Sequence, residues 1–138
     1  MKPVEVIFPD GTRVRASSLF DRNEHLSGRD FGLYMDPRWN PTWPAEIIDW
    51  PDFGLPRDGA RAAAQIRAAF SRAKGGQGVE IGCLGGLGRT GTVLACMAVL
   101  AGVDALDAVA WVRENYHSGA IETPDQESWV EWFAESGQ

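Results

Sequence analysis

Short apolar runs fill the first part of the chain, whereas longer helical patterns fill the second part. Five short runs have the alternation or the β-branched content of strands, namely residues 4–8, 13–16, 31–35, 45–50 and 79–83. The sequence Pro-Asp-Gly-Thr at residues 9–12 is a turn signal, so the first two runs are predicted to form a hairpin. The predicted strands lie mainly in the first 83 residues, and three helices follow in series.

Four segments have helical patterns. Residues 57–73 are rich in alanine and place Ile66 and Phe70 one turn apart. Residues 92–101 are apolar on every side, which is typical of a buried central helix. We expect Cys96, inside this second helix, to be a core residue.

The last two helices are predicted mainly from their first residues. Asp104 is expected to cap the third helix, whose apolar face would comprise Leu106, Val109, Val112 and Tyr116. Thr123 is expected to cap the fourth helix, with Pro124 at its first position and Gln126 completing a capping box. This last helix should end near residue 135.

The composition is that of an acidic globular protein. The chain has 138 residues, 44% of them hydrophobic, and a formal net charge of −6, so one domain with one core is expected. Nucleic acid is an unfavourable partner, because its phosphates require a basic surface. Two cysteines do not make a disulfide framework, and no apolar run is long enough for a signal peptide or a membrane span. We therefore expect a cytoplasmic monomer that does not bind membranes.

The most informative stretch is residues 79–91, Val-Glu-Ile-Gly-Cys-Leu-Gly-Gly-Leu-Gly-Arg-Thr-Gly. An apolar strand ends at Cys83, a glycine-rich turn follows, and a helix comes next. Such a loop binds anions, because its backbone N–H groups and the helix dipole both favour negative charge.

Two nucleotide-binding interpretations of this loop fit poorly. The glycine spacing of residues 86–91 is that of a dinucleotide-binding loop, but no strand with an acidic residue follows the helix. Gly88 and Thr90 fit a nucleotide-triphosphate P-loop. However, Cys83 replaces the first glycine of that motif and Arg89 replaces its lysine.

A third interpretation uses the two residues that do not fit the others. A curled loop between Cys83 and Arg89 can direct its amides and the guanidinium toward one phosphate. The same groups favour the thiolate form of Cys83, and Thr90 can donate a further hydrogen bond. The thiolate is then placed to attack phosphorus.

Three loops resemble those of a known family. Cys-x5-Arg-Thr-Gly at residues 83–91 resembles the signature loop of the cysteine-dependent protein tyrosine phosphatases. Residues 50–56, Trp-Pro-Asp-Phe-Gly-Leu-Pro, are similar to the acid loop of that family. Residues 122–126, Glu-Thr-Pro-Asp-Gln, are similar to its water-positioning glutamine loop. The loops occur in the family's order, and the resemblance covers about residues 45–133.

The resemblance implies the architecture of the whole chain. The implied fold is an α/β domain with a central, mostly parallel sheet flanked by helices, in a compact member of dual-specificity size. One phosphatase domain would span residues 1–138, with an N-terminal hairpin region at 1–30 and a catalytic core at 31–135.

The resemblance also implies a role for each residue of the site. Cys83 would be the nucleophile that forms a phosphocysteine, and Arg89 would hold the phosphoryl oxygens. Asp52 would protonate the leaving oxygen, Thr90 would assist departure of the thiolate, and Gln126 would position the hydrolytic water. The phosphate-binding amides would come from Leu84, Gly85, Gly86, Leu87 and Gly88. No cofactor and no metal ion is implied.

Two features depart from the family's pattern. The family has a histidine before the cysteine, where this chain has Gly82, and that histidine supports the geometry of the loop and the reactivity of the cysteine. The phosphotyrosine-recognition loop of the large tyrosine-specific members is not recognisable. In addition, residues 84–88 contain no lysine, whereas phosphoinositide-selective members have basic residues there.

Together these features predict a phosphomonoester hydrolase, namely a protein tyrosine or dual-specificity phosphatase. Its substrate would be a phosphorylated protein or a small phosphomonoester. Two alternatives stay open, a phosphopeptide-binding module with weak catalysis and a small-molecule or nucleotide phosphomonoesterase. Trp39 and Trp43 are expected to pack within the core or a loop.

Overall fold

A five-stranded sheet forms the centre of the computed structural model, which describes residues 3–137. Its strands are β1 (Val4–Ile7), β2 (Arg13–Ser18), β3 (Phe31–Tyr34), β4 (Ala45–Ile47) and β5 (Val79–Cys83). The strand order is β1-β2-β5-β3-β4, with β1 and β2 antiparallel and every other pair parallel. This arrangement confirms the predicted α/β fold with a mostly parallel sheet.

Four helices pack on this sheet and on one another, namely α1 (Gly59–Lys74), α2 (Gly88–Leu100), α3 (Ala105–Asn115) and α4 (Pro124–Ser136). Helix α1 contacts β2, β3 and β5, α2 contacts β5, and α3 and α4 pack against α2. The first eleven residues of α2 are all buried, Cys96 among them, as predicted for a central helix. Within residues 3–137, no helix combines the length and the apolar character needed to cross a membrane.

Two boundaries near the glycine-rich loop differ from the prediction. Strand β4 ends at Ile47 instead of Trp50, because its neighbour β3 already ends at Tyr34, which pairs with Ile47. Helix α2 begins at Gly88 instead of residue 92, so Arg89 lies in its first turn. Apolar periodicity cannot detect this turn, since it consists of glycine, arginine and threonine.

Two smaller corrections concern the start of α1 and the apolar face of α3. Helix α1 begins at Gly59, because the Asp58 carboxylate accepts a hydrogen bond from the Arg61 N–H group at 3.0 Å and caps it. Leu106 is 82% exposed instead of lying on the apolar face of α3. Six residues turn a helix by about 600°, so Leu106 lies about 120° around α3 from the buried Val112.

Candidate active site

Cys83 is the last residue of β5, the central strand of the sheet. Residues 84–87 connect it to the N-terminus of α2. The side chain of Cys83 is buried, and the N–H group of Gly86 donates to its sulfur at 3.2 Å. Gly86 has a φ of +81°, a left-handed conformation that glycine adopts without strain. The loop therefore curls around the sulfur.

The carbonyl groups of the loop are held from outside. Three of them accept hydrogen bonds, the Cys83 carbonyl from Trp39 Nε1 (3.0 Å), the Leu84 carbonyl from the Leu19 N–H group (3.0 Å) and the Gly86 carbonyl from the Tyr116 hydroxyl (2.5 Å). The C=O and N–H groups of a trans peptide point in opposite directions, so the amides of Leu84, Gly85 and Leu87 face the other way. Within residues 3–137 these three amides have no hydrogen-bond acceptor. They are arranged as donors for an anion.

Arg89 joins the glycine-rich loop to two other segments. Its side chain is 3% exposed, and Nη1 donates to the carbonyls of Met35 (2.7 Å) and Trp50 (3.0 Å). Nη2 lies 3.3 Å from Asp36 Oδ2 and 3.4 Å from Asp52 Oδ1. The guanidinium is thus fixed between the end of β3, the acid loop and the first turn of α2.

Two buried polar atoms in this first turn have no hydrogen-bond partner among residues 3–137. They are Nε of Arg89 and Oγ1 of Thr90. Buried polar groups are rarely left unsatisfied in native structures, and exceptions mark functional sites. Both atoms lie at the helix N-terminus that follows Cys83, where an anion would satisfy them.

Sequence reasoning missed the buried carboxylate of Asp36, which is the second residue after β3. It accepts hydrogen bonds from the Arg38 side chain (2.9 and 2.7 Å) and from the Arg38 N–H group (3.0 Å). These hydrogen bonds, together with the charges of Arg38 and Arg89, lower the pKa of Asp36 to about 2. A signal was available, because the carboxyl ends of neighbouring parallel strands meet at one edge of a sheet, and β3 lies next to β5.

The acid loop places Asp52 at the edge of the site. The side chain of Asp52 is 43% exposed, and Oδ1 accepts a hydrogen bond from the Phe53 N–H group at 3.0 Å. Trp50 anchors the loop, because its ring is buried against Trp129 and its Nε1 donates to the Gly54 carbonyl at 2.8 Å. Asp52 can therefore reach both water and the guanidinium of Arg89.

Gln126 is fully buried and forms hydrogen bonds with two segments, the start of α4 and the acid loop. Its N–H group donates to the Thr123 hydroxyl at 3.1 Å, as predicted for a capping box. Its Oε1, however, accepts from the N–H group of Glu122 at 2.9 Å instead of from that of Thr123. Its Nε2 donates to the Gly54 carbonyl at 3.3 Å, so the side chain ties α4 to the acid loop.

A pocket of about 140 Å³ opens above the sulfur of Cys83. Its lining residues are Phe20, Asp52, Phe53, Cys83, Leu84, Gly85, Leu87, Gly88 and Glu122. Glu122, and not Gln126, contributes to the wall, since the Glu122 carboxylate lies against Gly88. Sequence reasoning gave Glu122 no role of its own. Within residues 3–137, no group of three or more His, Cys, Asp or Glu side chains could hold a metal ion.

The fold agrees with that of a known class of proteins. The chain is similar in structure to Tk-PTP in its active form, with a TM-score of 0.76 at 24% identity over 98% of this chain and 99% of that one. Kinase associated phosphatase gives a TM-score of 0.81 at 18% identity, covering 98% and 94% of the two chains. Human DUSP28 gives a TM-score of 0.70 at 15% identity, covering 98% of each chain. The fold is that of a compact, protein tyrosine phosphatase-like domain.

Two archaeal sequences are closer relatives in sequence. Uncharacterized protein MJ0215 of Methanocaldococcus jannaschii is 34% identical over 131 residues, covering 85% of this chain and 79% of that protein. Uncharacterized protein MJECL20 of the same organism is 37% identical over 111 residues, covering 71% of each. No family model matches the chain. The chain belongs to the family of these two archaeal proteins, which has the protein tyrosine phosphatase-like fold.

Proposed function

We propose that this protein hydrolyses phosphomonoesters through a phosphocysteine, with phosphotyrosine and related aryl phosphates as its substrates. The observation that carries the proposal is the convergence of three groups at one pocket. These are the thiol of Cys83, the N–H groups of the loop before α2 that lack an acceptor, and the Asp52 carboxylate 3.4 Å from the guanidinium of Arg89.

In the first step, the Cys83 thiolate attacks phosphorus and forms an S–P bond while the P–O bond to the alcohol breaks. Asp52, protonated before the step, gives its proton to the leaving oxygen, so that a neutral alcohol departs. The loop amides and Arg89 stabilise the charge on the three equatorial oxygens in the transition state. Asp52 then carries a negative charge.

In the second step, water attacks the phosphocysteine and the S–P bond breaks. Asp52 takes a proton from the water, which restores the acid for the next cycle. The sulfur leaves as a thiolate, with the hydroxyl of Thr90 as a proposed hydrogen-bond donor to it. Gln126 is proposed to act through the acid loop that it holds, since its amide is bonded to Gly54.

The mouth of the pocket supports an aryl substrate. Phe20 is 77% exposed and Phe53 is 61% exposed, although both are large apolar side chains that line the pocket. An exposed pair of phenyl rings beside a phosphate site offers apolar surface to the ring of a phosphotyrosine. Phosphoserine and phosphothreonine would reach the sulfur without gaining this contact.

The test of the proposal is hydrolysis of p-nitrophenyl phosphate in the presence of EDTA. We expect turnover that vanadate inhibits, and a loss of at least 10³-fold in the Cys83→Ser variant, because the nucleophile is removed. Cys96→Ala is the matched control, since Cys96 is the other cysteine and lies in the core. A panel of phosphotyrosine, phosphoserine and nucleotide substrates then tests the aryl preference.

Two outcomes would contradict the proposal. Wild-type protein that binds a phosphotyrosine peptide without turnover would be a binding module. Equal rates with nucleotides and with phosphotyrosine peptides would point to a general small-molecule phosphomonoesterase.

A further inference from the structure

Gly82, directly before the nucleophile, lies against the ring of Trp39. A Cβ atom at residue 82 would overlap Cζ2 of Trp39 and would lie 2.9 Å from its Cε2, closer than real Cβ contacts. The space that a side chain at position 82 would enter is therefore filled by the indole. Glycine is required here by close packing and not by a left-handed backbone, because its φ is not positive.

The indole of Trp39 also makes a directed contact with the loop. Its ring is fully buried, and Nε1 donates to the carbonyl oxygen of Cys83 at 3.0 Å. This hydrogen bond fixes the peptide plane between Cys83 and Leu84. The Leu84 N–H group, the first donor of the anion site, is consequently directed away from Trp39.

Trp39 is itself held rigidly. It ends a single 3-10 turn, residues 37–39, that the Asp36 carboxylate caps by accepting from the Arg38 N–H group. Its ring stacks on Tyr34 with centroids 4.1 Å apart and planes 15° apart. The Tyr34 hydroxyl in turn donates to the buried carboxylate of Glu80 at 2.5 Å. Packing on Tyr34 and the hydrogen bond from Tyr34 to Glu80 therefore fix the position of the indole N–H donor.

We propose that Trp39 is the positioning residue of the Cys83 loop. Its indole N–H group fixes the first peptide of the loop, and a side chain at position 82 cannot do this because the indole fills the space beside Gly82. This inference rests on the proposed function for its kinetic consequence, but its effect on the thiol can be measured without turnover. Removing the N–H group frees the first peptide of the loop to rotate. We expect the anion site to lose the alignment of its first donor, the Leu84 N–H group, and the thiolate of Cys83 to lose the favourable field of that peptide dipole.

The test replaces Trp39 site-specifically with benzothienylalanine, which keeps the shape of indole and has sulfur in place of the N–H group. Trp39→Phe is the second variant. Trp43→Phe is the matched control, because Trp43 follows in the same segment and its Nε1 donates to the Tyr34 hydroxyl at 2.8 Å instead of to the loop. Two quantities are measured, the pH midpoint of alkylation of Cys83 by iodoacetamide and kcat/KM for p-nitrophenyl phosphate.

We expect both Trp39 variants to raise the alkylation midpoint and to lower kcat/KM about tenfold, the value of one hydrogen bond to a charged site. Trp43→Phe should leave both quantities within about twofold. Trp39 variants that match Trp43→Phe in both measurements would overturn the inference. If wild-type protein has no turnover but the alkylation midpoint still moves in the Trp39 variants, the proposed function fails and the positioning role of Trp39 stands.

Discussion

At the scale of single residues, the site contains two carboxylates that share one guanidinium but differ in environment. Asp36 is buried and its pKa is held at about 2 by Arg38 and Arg89, so it stays charged at any pH near neutrality. It cannot give a proton to a leaving group. Asp52 is 43% exposed and touches Arg89 only at 3.4 Å, so it can exchange protons with water. On this basis we propose that Asp36 orients Arg89 and that Asp52 transfers the proton.

The packing at Gly82 gives a prediction at the same scale. In Gly82→Ala, the new methyl group displaces the ring of Trp39, so we expect a loss of about 1–3 kcal/mol in the free energy of unfolding. The measurement is urea unfolding followed by tryptophan fluorescence. Gly85→Ala is the steric control, because nothing lies within 4 Å of a Cβ at residue 85, and its stability should change by less than about 0.5 kcal/mol. Equal stability of both variants would show that Trp39 does not fill the space at Gly82.

At the scale of elements, the acid loop is fastened in the position where Asp52 faces the signature loop. The Gly54 carbonyl accepts from Trp50 Nε1 and from Gln126 Nε2, and the Trp50 carbonyl accepts from Arg89 Nη1. The acid loop is thus held by one hydrogen bond within itself, by one from α4 and by one from α2. A phosphate that draws Arg89 toward its own oxygens would act on the acid loop through the Trp50 carbonyl.

The proposed role of Asp52 is tested with two leaving groups. Asp52→Ala should lower kcat for phenyl phosphate by about 10²–10⁴-fold, the usual contribution of a general acid. The loss for p-nitrophenyl phosphate should be smaller, because nitrophenolate departs without a proton more readily than phenolate. The alkaline limb of the pH–rate profile, which a general acid produces when it loses its proton, should also flatten in this variant. Asp49→Ala is the control, since Asp49 is exposed near the same loop and pairs with Arg57.

A clear result would count against this assignment. If Asp52→Ala loses the same factor with both substrates, Asp52 does not transfer the proton, and Glu122 is the next carboxylate of the pocket to substitute.

At the scale of the whole molecule, the sequence was sufficient for features that are local along the chain. The strand that ends at Cys83, the glycine-rich turn and the helix after it could be predicted, because strand, turn and helix signals are each contained in a few residues. Local signals could not show that Asp36 and Trp39 belong to the site. They precede Cys83 by more than forty residues, and only the pairing of β3 with β5 brings them beneath the loop. The role of Gly82 was equally hidden, because the sequence does not show which ring fills the space beside it.

The free energy of unfolding should decrease at alkaline pH, because both tyrosines of the chain support the site with buried hydroxyl groups. Burial and the neighbouring Glu80 raise the pKa of the Tyr34 phenol, while burial and the charge of Cys83 raise the pKa of the Tyr116 phenol. In the unfolded chain both phenols titrate near pH 10, so above that pH the native state binds more protons than the unfolded state. The two tyrosines therefore leave the free energy of unfolding unaffected below about pH 10 and lower it above that pH by about 1.4 kcal/mol per pH unit for each tyrosine. Burial also raises the pKa of the Cys96 thiol, which adds its own fall from about pH 9.

Urea unfolding between pH 8 and 12 measures these slopes, and the double variant Tyr34→Phe/Tyr116→Phe should lack the part that begins near pH 10. Phenolate absorbance at 295 nm should rise together with the loss of near-ultraviolet circular dichroism. Phenolate that forms near pH 10 while the native signal persists would mean that the two hydroxyls are open to solvent and do not support the loop as described.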